Sequence, residues 1–260
     1  LYGEKLFSIN PYIEKLYETL INVVAKTKNW NQLITISDKA YAKKIIDKST
    51  LYENKSIAFY EIAKIKFNSN LKESTKNIVK AIEMKKNFPP YIELHLKLVA
   101  ASNNITLLKK LIKKYWSSSQ NIVLRNIISE IIIENNLQDL KFIYEISKHA
   151  INSEESKKMI IFFAIRNQNW SVARDNIKGL IGSNPSKEIC LFMSDIELGE
   201  NNDKQKSDSW IMRSENSLSE NIWTCKITNQ TQQEWSSLSD SGYFNSLVLF
   251  NSLMISNRNN

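Results

Sequence analysis

A spacing constrains this chain more than any other feature. Lys28-Asn29-Trp30 and Gln168-Asn169-Trp170 each open a short amphipathic stretch, Trp30-Asn31-Gln32-Leu33 in one copy and Trp170-Ser171-Val172-Ala173 in the other. Weaker copies begin at Leu71 after Asn68-Ser69-Asn70, at Ile105 after Asn103-Asn104, and at Leu137 after Asn135-Asn136. After a long first interval, these starts settle near the ~34 residues of a helix-pair repeat. One such pair cannot bury its apolar side alone, so the pairs must stack, and a stack is chiefly a surface on which other molecules assemble.

Only five glycines and four prolines punctuate the chain, so it reads as mostly helical. Asn10-Pro11 is a helix start, with a capping side chain followed by proline at the first turn. Ile13, Leu16, Tyr17, Leu20, Ile21 and Val24 then recur at helical spacing. Further helices are predicted over 31–47, 51–67, 71–85, 91–101, 106–116, 122–134, 138–149, 154–166, 171–181, 187–198 and 204–214. The second helix of a pair follows a tetratricopeptide pattern of bulky, small, large and small residues. Trp170, Ala173, Ile177 and Leu180 before Pro185 fit it, as do Leu71, Ser74, Ile78 and Ala81. Trp30, Leu33, Ser37 and Ala40 fit less well, and Ile105, Leu108, Ile112 and Tyr115 only in apolar character. The pattern predicts an all-α fold, a tetratricopeptide-like right-handed α-solenoid of about six helix pairs over residues 1–217. Burial at helix crossings accounts for Trp30 and Trp170 without any further role.

The character changes after Ser214. Asn221-Ile222-Trp223-Thr224-Cys225, Glu234-Trp235-Ser236 and Tyr243–Phe250 place β-branched and aromatic residues between turn signals, which predicts extended segments over 218–250. Gly242 supplies a left-handed turn, and 251–260 reads as a frayed tail. The aromatics Trp223, Trp235, Tyr243 and Phe244 are expected to cap the last helix pairs, since a stack otherwise exposes its final apolar face. A partner-binding patch is the other reading.

The chain carries a formal net charge of +8, yet nearly all of its positive charge is lysine. Arginine, which reads phosphate and guanine bidentately, is confined to Arg125, Arg166, Arg174, Arg213 and Arg258, which speaks against nucleic acid. Cys190 and Cys225 stand outside any C-x-x-C pattern, so neither a disulfide scaffold nor a zinc site is indicated. His95 and His149 lack neighbours in a catalytic arrangement, and Glu154-Glu155 suits a helix start. No glycine-rich phosphate loop occurs. The expectation is a non-enzyme without a cofactor. First helices of tetratricopeptide pairs line a groove, and counting back from each start places Asn22, Lys26, Lys66, Lys97, Arg125, Lys158 and Arg166 there. Such a groove would clamp an acidic or carboxylate-bearing segment by charge-assisted hydrogen bonds. A solvated face in a lysine-rich chain is the alternative.

From Cys190 to Phe250 the residues carry a resemblance. Cys190-Leu191-Phe192-Met193-Ser194-Asp195-Ile196-Glu197, Trp210-Ile211-Met212-Arg213-Ser214, Trp223-Thr224-Cys225, Glu234-Trp235-Ser236 and Gly242–Val248 resemble the C-terminal region of the HemY proteins in their alphaproteobacterial form. Ala173-Arg174 fits the same family's helix of an aromatic residue followed by Ala-Arg. Asn229 stands where the family has glycine, Leu238 follows Ser237 in place of a proline-containing turn, and Phe250 replaces a tryptophan. The resemblance implies a membrane-anchored tetratricopeptide protein of haem biosynthesis. Its two transmembrane helices would lie before Leu1, and this part would face the cytoplasm from the bacterial inner membrane. It implies a scaffold that holds late haem-pathway enzymes together, the partners then being membrane-associated proteins. A porphyrin or haem carrier, ligating through His95, His149, Cys190, Met193 or Cys225, is the alternative.

Overall fold

The structure is a computed structural model that describes residues 14–182, 185–215 and 222–250. The expected helix start at Asn10-Pro11, the tail 251–260 and the expected boundary at 217–218 lie outside the described residues. Among the described residues the chain is mostly helical. The helices are α1 (Glu14–Lys26), α2 (Trp30–Ala42), α3 (Lys48–Lys66), α4 (Leu71–Met84), α5 (Pro89–Ala101), α6 (Ile105–Ser118), α7 (Ile122–Glu134), α8 (Leu140–Ser147), α9 (Glu154–Arg166), α10 (Trp170–Ile177), α11 (Lys187–Asn201) and α12 (Lys204–Glu215). A short 3-10 turn, Lys148–Ala150, follows α8. Three strands close the chain, β1 (Ile222–Cys225), β2 (Thr231–Gln232) and β3 (Leu247–Phe250).

The recurring Asn-Trp unit is a two-way cap. After α1 the chain turns left-handed at Lys28, φ 56°, and the Asn29 N–H reaches back to the Val24 carbonyl at 3.2 Å. This Schellman turn satisfies carbonyls that the helix end leaves open. The side-chain oxygen of the same Asn29 then accepts the Gln32 N–H, capping α2. Gln168 (φ 54°) and Asn169 repeat the device, with Asn169 N–H on Ala164 O at 2.8 Å and Asn169 Oδ1 capping Val172. Asn70 and Asn104 cap α4 and α6 in the same way.

Two of the helix limits that differ from the sequence reading follow from this chemistry. Asn136 (φ 55°) makes the left-handed turn and Leu137 N–H closes on Ile132 O, but leucine carries no capping oxygen. The helix therefore waits for Asp139, which caps Lys141, and α8 starts at Leu140 instead of near Leu137. The helix predicted to reach Asp47 stops at Ala42, because Lys44 turns left-handed (φ 60°) and Asp47 caps the next helix through Thr50 N–H at 2.7 Å.

The chain divides into two compact units, one running to Leu98 and including the tail from Ile222 on, the other beginning at Val99. In the first, α1, α2, α3 and α4 pack in succession. Its core joins Tyr17, Leu20, Ile21 and Val24 of α1 to Trp30, Leu33, Ile36 and Ala40 of α2, and these to Ile57 and Ala58 of α3. Small residues let α3 and α4 approach closely: Ala63 and Ser74 are fully buried, and Ser74 Oγ donates to the Ala63 carbonyl at 2.6 Å. Buried hydroxyls tie α1 to α3 through Asn54 Nδ2 on Tyr17 Oη at 2.8 Å, and α3 to α5 through Ser56 and Tyr91 at 3.0 Å.

In the second unit α6 packs on α7, and from α8 to α12 each helix packs on its successor. Contacts also join α6 to α8, α7 to α9, and α9 to α11. Ile161, Ala164, Ala173, Ile177, Ile189, Phe192, Met193 and Ile196 form one core across α9, α10 and α11, with Trp210 of α12 packed against it. Trp116 is fully buried on α6 and its indole N–H donates to Ser156 Oγ of α9 at 3.0 Å. Trp170 lies over Gly199 of α11, where an added Cβ would come within 2.3 Å of the indole ring.

The tail departs from expectation. It forms a three-stranded antiparallel sheet in the order β2-β1-β3, with Trp223 opposite Leu249 and Gln232. It was expected to cover the last helix pairs; it lies instead on α1, α3 and α5. Phe244 enters the α1–α2–α3 core. Trp235 packs edge-on against Tyr60, Tyr91 and Phe88, the Phe88 centroid being 5.0 Å away. The aromatic side chains of the first helices offer Trp235 a deeper apolar site than a helix end would.

Two substitutions test the turn. Gln168→Gly relieves the left-handed strain at an exposed position and raises unfolding free energy by about 1 kcal/mol. Asn169→Ala removes the cap and lowers it by about 1 kcal/mol; urea denaturation of each variant reads the sign.

Candidate functional site

The first helices α7, α9 and α11 share a way of starting. Asn121, Ser153 and Ser186 cap them through Leu124, Ser156 and Ile189 N–H groups. Each serine is followed two places on by a glutamate, Glu155 and Glu188, in the first turn, where the helix dipole favours a carboxylate. Arg125 rises from the first turn of α7 between them. Its Nε lies 3.3 Å from Glu155 Oε2, and its Nη2 bonds Glu188 Oε1 at 2.5 Å. Lys158 of α9 closes the group, with Nζ 2.7 Å from Glu154 Oε1 and 3.5 Å from both Glu155 Oε1 and Glu188 Oε2.

Arg125 and Lys158 are 3% and 6% exposed, so these pairs act in a low-dielectric setting and not as surface pairs. Burial pulls the Lys158 ammonium down, but the hydrogen bond it donates to Glu154 and the charges of Glu155 and Glu188 outweigh it. Its affinity for a proton is raised above the ordinary lysine value. Two cations thus face three carboxylates. Three buried atoms of the group lack a hydrogen-bond partner among the described residues, Arg125 Nη1, Glu155 Oε2 and Glu188 Oε2. Beside them opens a cavity of about 190 Å³ lined by Arg125, Asn126, Ser129, Glu130, Phe162 and Glu188 among others.

Of the cations assigned to the groove, the structure brings together Arg125 and Lys158. Asn22, Lys26, Lys66 and Lys97 belong to the first unit. Asn22 Oδ1 accepts the Phe244 N–H at 2.8 Å, so this side chain holds the tail. Lys26 runs beside Gly242, which sits at φ 79°. Lys66 pairs with Glu73 at 3.6 Å and Lys97 with Glu93 at 2.6 Å. Arg166 donates to Gln138 Oε1 at 3.2 Å and lies over the Phe162 ring. Of these cations, Lys66, Lys97, Arg125 and Lys158 meet carboxylates of their own unit, whereas Arg166 meets a neutral amide and a ring. The sequence reading takes Glu155 only as a helix-start residue; Ser-x-Glu recurs at 186–188 and marks Glu188 as another, but the pairing of both with Arg125 appears only in the packed structure.

The remaining singled-out residues are structural. Arg174 bonds Glu197 at 3.1 Å and also Glu200, tying α10 to α11 beside Trp170 and Ala173. Trp30 is buried in the first core, and Trp223 shares its own with Cys225 and Leu247. Cys190 and Met193 are buried on α11, His95 is buried on α5, and His149 is exposed. Cys225 directs its thiol to Ser246 Oγ at 3.4 Å. Among the described residues no three His, Cys, Asp or Glu side chains gather as metal ligands, and no helix is long and apolar enough to cross a membrane. No protein-family model matches the chain, and no curated protein matches it. The site therefore rests on its own chemistry.

Removing one member of this group strands the others. Glu188→Ala costs about 3–5 kcal/mol, whereas Lys97→Ala, which breaks a half-exposed pair, stays within about 1 kcal/mol; chemical denaturation compares them. The pH dependence has a definite sign. Because Lys158 is raised from 10.5, its contribution is fully present below that value and disappears as pH climbs through the higher folded one. The stability gap between wild type and Lys158→Met should hold from neutral pH to about pH 10 and shrink only above it.

Proposed function

We propose that this chain is a non-catalytic protein-interaction scaffold, built as a right-handed tetratricopeptide-like α-solenoid. One observation carries the reading. In the second unit first helices meet first helices, α7 to α9 and α9 to α11, while α9 also packs on α10 and α11 on α12. Successive hairpins placed side by side produce that pattern, and a stack of hairpins offers a continuous face for docking. The two-way caps at Asn29 and Asn169 support it, since they make the hairpin turns as short as a stack requires.

The partner class comes from the likeness over Cys190–Phe250. It points to late haem-biosynthesis enzymes at the bacterial inner membrane, with membrane attachment through segments preceding this region. Asn229, which stands in the family's glycine position, takes φ 57°, and asparagine is one of the few side chains that accepts that conformation. The docking face in this reading is that of α7, α9 and α11, because the tail already covers α1, α3 and α5.

Affinity capture from membranes with the protein anchored as it is in the cell tests the proposal. Enrichment of late haem-pathway enzymes, without turnover of their substrates by the captured protein itself, is the expected result. Titration with protoporphyrin is the second arm: a saturable Soret shift would move the reading to a carrier.

A further inference from the structure

The positive charge of the second unit is gathered on two of its second helices. Residues 105–121 and 135–153, which hold α6, α8 and the turn after it, contain six lysines, Lys109, Lys110, Lys113, Lys114, Lys141 and Lys148, against two carboxylates, Asp139 and Glu145. The stretches 122–134 and 154–215 of the same unit carry ten Lys or Arg against twelve Asp or Glu. A lysine-rich composition by itself does not produce such a separation. Both carboxylates near the lysines are engaged, Asp139 in capping the Lys141 N–H and Glu145 with Lys113 Nζ at 2.6 Å. That ion pair joins α6 to α8, as do Lys109 and Lys113, whose ammonium groups lie over the Phe142 ring at 5.0 and 5.7 Å from its centroid. Lys110, Lys114, Lys141 and Lys148 are exposed and form no ion pair among the described residues. At helical intervals of three and four, Leu107, Lys110 and Lys114 share one side of α6, and Lys141, Tyr144 and Lys148 one side of α8 and its following turn. Leu107 is 38% exposed and Tyr144 39%, so each lysine row holds one apolar side chain open to solvent.

We infer that the α6–α8 surface docks on an anionic lipid bilayer. Its lysines sit at the level of the headgroups, and Leu107 and Tyr144 reach the boundary with the acyl chains. Lysine suits a layer of mobile headgroups, because it is a point charge on a flexible stem and its methylenes cover apolar surface while the ammonium stays among the anions. The phenol ring of Tyr144 has an apolar body and a polar tip, the combination that settles at a membrane interface. A nucleic acid calls for the planar fork of arginine, and none of the cations on α6 or α8 is arginine. A soluble polyanion would meet the lysines and leave Leu107 and Tyr144 in water, whereas a bilayer takes up both. The inference goes beyond the scaffold reading. It concerns second helices, not the α7–α9–α11 face, and needs neither haem-pathway partners nor a preceding anchor.

The test is co-sedimentation of the whole chain with large vesicles, either pure phosphatidylcholine or phosphatidylcholine with about one part in three phosphatidylserine. Binding is expected to the phosphatidylserine vesicles alone at about 0.1 M salt, and to vanish at about 1 M, where the Debye length shrinks to about 3 Å. A lysine near an anionic surface strengthens partitioning ~fivefold. The combined variant Lys110→Gln, Lys114→Gln, Lys141→Gln, Lys148→Gln should therefore lose at least tenfold (~tenfold or more) in affinity. A control with the same net charge, Lys39→Gln, Lys72→Gln, Lys76→Gln, Lys86→Gln, removes exposed lysines of the first unit and should bind as wild type does. Leu107→Ser with Tyr144→Ser, which keeps every charge, should weaken vesicle binding and leave any binding to a DNA duplex or to polyglutamate unchanged. Circular dichroism checks that each variant is folded. Absence of binding to phosphatidylserine vesicles, equal losses in the two lysine variants, or displacement from vesicles by duplex DNA or polyglutamate at equal charge concentration would each overturn the inference. Failure to capture haem-pathway enzymes would remove the scaffold's partner class but leave this result standing.

Discussion

The fold depends on turns in which one residue finishes a helix and begins the next. Asn29 and Asn169 donate a backbone N–H to the helix behind and offer a side-chain oxygen to the helix ahead. A helix end leaves several carbonyls open and a helix start several N–H groups. Serving both through one residue removes any need for a longer linker. It brings the second helix back along the first across three residues, so that the apolar faces of the pair meet. Where the residue lacks the oxygen, as at Leu137, the same left-handed turn still ends the helix but the next one begins three residues later, under Asp139.

Beyond the turns, polar side chains join first helices to one another, and the two units use different chemistry for it. In the first unit neutral groups make the connections, Tyr17 with Asn54 and Ser56 with Tyr91. In the second, ionic groups do so, Arg125 with Glu155 and Glu188. The difference bears on what each face can accept. Neutral hydroxyls buried beside Tyr60 and Phe88 leave an aromatic surface, and the tail fills it with Trp235 and Phe244 while Asn22 and Glu53 anchor its backbone and Asn245. The ionic face of the second unit keeps an open cavity.

A buried ion group of this kind is a weak source of stability. Desolvating Arg125 and Lys158 offsets much of their attraction to the carboxylates around them. Arg125 and Lys158, read from the sequence as groove cations, meet carboxylates of their own unit.

Local order therefore was legible in the sequence. Capping and helical periodicity depend on neighbours within a turn or two, so Trp30, Leu71, Ile105 and Trp170 were recognisable as helix starts, and the change to extended structure near residue 222 was visible in its β-branched and aromatic residues. What faces what depended on residues far apart along the chain. No local signal places Trp235 against Tyr60, fits Gly199 beneath the Trp170 ring, or sets Glu188 on Arg125. Those pairings arise only when amphipathic helices stack and their remaining polar groups must find partners in the space left, a requirement that belongs to the packed molecule and not to any stretch of its sequence.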